Sequence, residues 1–74
     1  ANDREADASE SRKDFLAKYI IVKKETNETL YWLEIIRDTN NIPIIHANVD
    51  ILILEVKEIY LIVRSIIIKT KNKL

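Results

Sequence analysis

Three observations predict an all-α fold. The 74-residue chain contains no Gly and a single Pro, which leaves almost no material for tight turns between strands. Between Ser11 and Asp38, apolar or small side chains recur at Phe15, Tyr19, Val22, Thr26, Thr29, Leu33 and Ile36. That spacing alternates four and three, which places them on one face of a helix. From Ile44 to Lys71 apolar residues again follow i, i+3, i+4, with no turn signal inside the stretch. The expected architecture is an antiparallel helical hairpin, with helices over about 12–39 and 44–71, plus a short leading helix over about 1–8. Together these form one domain and part of an up-down four-helix bundle.

Each element has a local reason. Ala1 to Ala8 is rich in good helix formers and is expected to form the last turns of a helix, with a turn at Glu10-Ser11. Ser11-Arg12-Lys13-Asp14 has the form of a capping box, with Ser9 as an alternative start. In the long helix that follows, Thr26 and Thr29 are small places where a neighbour can approach closely. Trp32 sits at the edge of the stripe, where its ring is expected to be buried with its N–H free for a partner. Thr39-Asn40-Asn41 should stop the helix, Asn being the best substitute for Gly in the left-handed position. Pro43 suits the first position of the next helix, where its missing N–H would be unpaired anyway.

The last helix is apolar on two sides. One seam is Ile45, Val49, Leu52, Val56, Ile59, Val63 and Ile66. A second is Ile44, Ala47, Ile51, Leu54, Glu58, Leu61, Ser65 and Ile68. At 100° per residue their mean directions are roughly 150° apart. One seam is expected to pack on the long helix. The other then needs further helices or another subunit, with Ile44, Ile51, Leu54, Leu61 and Ile68 as the candidate oligomer interface.

Composition narrows the function classes. Twelve Lys and Arg balance twelve Asp and Glu, so the overall charge points to neither a nucleic acid nor a membrane. The charge is uneven, however. No acid follows Glu58, while Arg64, Lys69, Lys71 and Lys73 give +4 and leave −4 on residues 1–63. These four are the candidate nucleic-acid contacts. The bland reading beside it is that cations are favoured at a helix C-terminus by the macrodipole. Arg12, Lys13, Lys18, Lys23 and Lys24 do not share one narrow face and read as solvated surface. No Cys is present, which fits a reducing cytosol, and Ala1 to Glu10 lacks the pattern of a secretory signal. A cytoplasmic protein without a membrane partner is expected.

Catalytic and cofactor chemistry find little footing. With no Cys and His46 as the lone base candidate, no Ser-His-Asp or Cys-His arrangement can be assembled. The lack of Gly excludes a Gly-rich phosphate loop. Glu25-x-x-Glu28 alone is a poor metal-ligand set, and Pro43 stands where a bundle metal site would need a Glu before His46. The expectation is therefore no enzyme, no metal, no cofactor and no small-molecule substrate.

Four blocks carry a resemblance. They are Ala1-Asn2-x-Arg4-Glu5-Ala6, Glu10-Ser11-Arg12-Lys13-Asp14-Phe15, Glu25-Thr26-x-Glu28-Thr29-x-Tyr31-Trp32-Leu33 and Ile66-x-Ile68-Lys69-Thr70. In order and spacing they resemble the bacterial four-helix-bundle family encoded by intervening sequences of large-subunit ribosomal RNA genes. That family also includes the accessory variability determinant of diversity-generating retroelements. The motif positions in this chain are Asn2, Arg4, Glu5, Ser11, Phe15, Glu25, Glu28, Tyr31, Trp32 and Leu33. Asp3 stands where a hydrophobic residue is usual, and Asn40-Asn41 replaces a Gly-containing turn. The resemblance covers the whole chain but only the latter part of the family's length, which implies a partial member truncated at the N-terminus. It further implies a homo-oligomer, typically a pentamer, without established catalysis and with RNA or DNA as a partner to be tested. The alternative is a purely structural oligomerisation module, or a non-functional partial gene product, that binds no nucleic acid.

Overall fold

The computed structural model describes residues 2–74, and of residues 2, 3 and 5 the backbone alone. Two helices account for nearly all of it: α1 (Asn2–Thr39) and α2 (Pro43–Lys71). Among the described residues there is no strand. A connector of residues 40–42 turns the chain back on itself, so the helices run antiparallel. Arg37 accordingly lies near Asp50 at one end, while Arg12 and Thr70 line a common pocket at the other. The molecule measures 61 × 14 × 13 Å. A 38-residue helix rises roughly 57 Å, so α1 alone sets that length.

The separate leading helix is not present. The backbone stays helical from Asn2 straight through Glu10 and Ser11, while Ala1 of the expected segment lies outside the described residues, as do the side chains of Asn2, Asp3 and Glu5. Ser11 caps nothing, and Asp14 pairs forward with Lys18 at 2.9 Å. The reason is energetic. Ser costs a helix interior only tenths of a kcal/mol relative to Ala, whereas a break would leave several backbone groups without their helical partners. With no Gly or Pro to force an interruption, continuity wins.

The connector is held by side-chain bonds and not by a left-handed residue. No described residue has a positive φ. Instead the Asn40 side-chain oxygen accepts the N–H of Ile42 at 3.0 Å, and the Nε2–H of His46 donates to the Asn40 carbonyl. The first bond mimics a backbone turn, which is how Asn stops a helix without leaving the right-handed regions. Pro43 takes the first turn of α2, after an extended Ile42 at φ −85°, ψ 117°. Replacing Asn40 with Ala should remove the bond from the Ile42 N–H, leaving that group to water, and cost about 1 kcal/mol. At a fixed protein concentration this corresponds to a fall of roughly 4–8 °C in Tm. An unchanged melting curve would show that the backbone alone specifies this turn.

The packing line differs from both expected stripes by the same rotation. On α1 the half-buried residues facing α2 are Leu16, Tyr19, Lys23, Thr26, Leu30, Leu33 and Arg37. On α2 the matching line is His46, Val49, Ile53, Val56, Tyr60, Val63, Ile67 and Thr70. Among the described residues only Val49, Ile53, Val63 and Ile67 are buried. Tyr19, Thr26 and Leu33 hold their expected places, as do Val49, Val56 and Val63. Phe15, Val22, Thr29 and Ile36 give way to residues one position later, and so do Ile45, Leu52, Ile59 and Ile66. Each line is thereby turned by about 60°.

Long polar side chains make this possible. The stems of Lys23 and Arg37 lie in the seam and their heads leave it: Lys23 Nζ sits 5.9 Å from the centre of the Tyr60 ring, and Arg37 reaches Asp50 at 3.8 Å. Arg37 also donates to the neighbouring Asp38 at 3.1 Å. That hydrogen bond, more than the field of Asp38 and Asp50, raises the guanidinium pKa.

Candidate functional site

Three surfaces follow from this packing. The first is the outer band of α2. Ile44, Ile51, Leu54, Leu61 and Ile68 are all exposed, Ile44 at 68% and Leu54 at 64%. The band stands roughly 150° from the line that meets α1, so a single partner helix cannot cover it. The five residues expected to form an interface are thus free along one edge.

The second surface was missed as such by sequence reasoning. The displaced half-stripes, Phe15, Val22, Thr29 and Ile36 on α1 and Ile45, Leu52, Ile59 and Ile66 on α2, flank the packing line on the same side of the hairpin. At mid-length they border an apolar groove of about 280 Å³, lined by Ile21, Val22, Glu25, Thr26, Thr29, Val56 and Ile59. Thr26 is half-buried on the packing line, its hydroxyl donating to the Val22 carbonyl at 2.7 Å. Thr29 bonds the Glu25 carbonyl in the same way but is exposed. The signal was in the sequence: each helix carries more apolar positions than one seam uses.

Trp32 lies off the packing line altogether. It is 60% exposed, with its ring edge-on to exposed Tyr31 at 5.4 Å between centroids. The expected burial of its ring does not occur within this hairpin, because α1 has one neighbour and Trp32 faces away from it. Glu28 shares an open surface hollow of about 450 Å³ with Ile20, Lys23, Lys24, Asn27 and Tyr31. Leu33 of the same motif does face α2, and Glu25 borders the apolar groove. Arg4 is exposed on the part of α1 near its start.

The third surface is the open end, where basic residues gather. Of the four expected contacts, Lys69 and Lys73 line a pocket of about 310 Å³ with Ser11, Arg12, Phe15 and Thr70. Arg64 and Lys71 do not line it. They fall on a separate strip with Lys57, repeating every seven residues along α2. Arg12, read from sequence as solvated surface, belongs to the pocket because the antiparallel return of α2 brings the C-terminal lysines to it. No periodicity within either helix could have revealed that pairing.

Among the described residues no group of three His, Cys, Asp or Glu comes together. Nor is any described helix long and apolar enough to cross a membrane. No family model matches this chain, and neither a curated protein nor a solved structure matches it.

Proposed function

We propose that this chain is a non-enzymatic helical-bundle protein of the ribosomal RNA intervening-sequence type that associates with further copies of itself and binds nucleic acid through its basic end. The single observation that carries the reading is the side-by-side placement of two aliphatic lines beside the packing seam. A helix in a two-helix hairpin needs one apolar stripe. A helix in a four-helix bundle meets two neighbours and needs a stripe widened on one side. Here both helices are widened on the same side, as half of a bundle would be. The motif residue Trp32, 60% exposed beyond that widened side, supplies a large aromatic area for such a neighbour. The resemblance in order and spacing of the four sequence blocks supports the family, and with it a closed oligomer such as a pentamer, acting in the cytoplasm.

Two sets of substitutions test the association. Leu54→Lys and Leu61→Lys place charges on the outer band of α2, while Leu52→Lys and Ile59→Lys place them on the groove side. Analytical ultracentrifugation should show the parent above monomer mass and both sets shifted toward monomer. A parent that sediments as a monomer, or variants identical to an oligomeric parent, would remove the bundle reading.

The nucleic-acid part rests on a different observation, the lack of any acid on α2 after Glu58. It predicts salt-sensitive binding, since each phosphate neutralised releases counterions.

A further inference from the structure

We infer that the pocket at the open end holds the phosphate of a single-stranded nucleic acid, with an unpaired base stacked on Phe15. The inference rests on the nucleic-acid part of the proposed function and assigns it a place and a strand form.

Three cations converge there from the two helices, Arg12 from α1 and Lys69 and Lys73 from the end of α2. None of them forms an ion pair with a described residue. Positions three and four residues from each carry no acid, so the helix itself offers no partner. Asp14, two residues along α1 and so on the far side of the helix from Arg12, pairs with Lys18 at 2.9 Å. Like charges gathered around one hollow repel, and an anion in their midst relieves that repulsion. The Ser11 hydroxyl adds a neutral donor, whereas the Thr70 hydroxyl already donates to the Ile66 carbonyl at 2.7 Å.

Phe15 gives the pocket a second character. Its ring packs against Tyr19 at 4.4 Å between centroids, yet the residue remains 42% exposed and forms part of the pocket wall. A phosphate site beside a part-exposed aromatic ring matches one repeating unit of a nucleic acid, a phosphodiester with its base. In a duplex the base faces are stacked and out of reach, so an unpaired strand is the form that fits. Lysines that only complemented a helix terminus would need neither the arginine of the other helix nor the ring.

The test uses the full chain and a fluorescently labelled oligouridylate, with binding read by anisotropy across a salt series. Circular dichroism and sedimentation check that each variant keeps the parent's helicity and mass. Lys69→Gln with Lys73→Gln should lower the slope of log affinity against log salt by about 1.4, and Arg12→Gln by about 0.7. Phe15→Leu should weaken binding at least about fivefold and leave the slope unchanged. Arg64→Gln with Lys71→Gln removes the same charge as the lysine pair but should leave affinity within about twofold. If the two double variants weaken binding equally, binding follows net charge, and the pocket is overturned while nucleic-acid binding stands. If the parent ignores the oligouridylate, yet inorganic phosphate shifts the amide signals of Ser11, Arg12 and Lys73, the nucleic-acid reading is overturned and a phosphate site of another kind takes its place. If neither probe binds, both fall.

Discussion

Replacing Ile53 with Ala is expected to destabilise the protein by about 2–5 kcal/mol. Ile53 is 4% exposed and lies on the packing line between Val49 and Val56, so shortening it leaves a cavity in the seam. Net stabilities of small domains are about 5–15 kcal/mol, so this single change approaches the lower end of the whole. Ile62→Ala is the matched control. It removes the same atoms from a residue that is 59% exposed on the same helix, and an effect within about 0.5 kcal/mol is expected. Urea unfolding of parent and variants at one matched protein concentration measures both. Equal effects would mean that α2 presents a different line to α1 than Val49, Ile53, Val63 and Ile67.

The second large effect concerns concentration. The described surface is 5932 Å², whereas a compact monomer of 8.7 kDa would expose roughly 4,700 Å². The excess comes from the rod shape, which leaves the outer band and the groove uncovered. Fully covering an exposed aliphatic side chain is worth about 1.5–3 kcal/mol, and Ile44, Ile51, Leu54, Leu61 and Ile68 are 48–68% exposed, so together they represent on the order of 5 kcal/mol. Folding should therefore be coupled to association. Tm is expected to rise with protein concentration, and helicity to fall on dilution, as mass action requires when copies bind the folded form. A cooperative melt at monomer mass, unmoved by concentration, would show that the hairpin is stable by itself with its bands exposed.

The two predictions also separate the seam from the bands. Leu52 lies next to Ile53 in sequence but on the groove side, and it is 45% exposed. Truncating Leu52 should chiefly weaken association, seen as a lower oligomer mass at a given concentration, whereas truncating Ile53 should weaken the hairpin itself.

Much of the fold was legible in the residues themselves. The absence of Gly and the single Pro pointed to helices, and Pro43 with Asn40 placed the turn between the two. The helix end near Thr39 was legible too, although through the Asn40 side chain and not the left-handed backbone expected of it, and so was the surplus of apolar positions on α2. Local sequence determines such features because backbone conformation and periodicity are properties of neighbours along the chain. The tertiary structure decided which of two adjacent half-stripes became the seam. Phe15, Val22, Thr29 and Ile36 are more apolar than Leu16, Lys23, Leu30 and Arg37, yet the latter face α2. That choice depends on what stands opposite: a Tyr60 ring for Lys23 to cover and an Asp50 for Arg37 to reach. The break expected at Glu10-Ser11 failed for a related reason, since a capping signal only competes with helix continuation and wins where a breaker assists it. The pocket at the open end was likewise undetermined by either helix alone. Arg12 and Lys73 are far apart in the chain, and only the antiparallel return of α2 makes them neighbours.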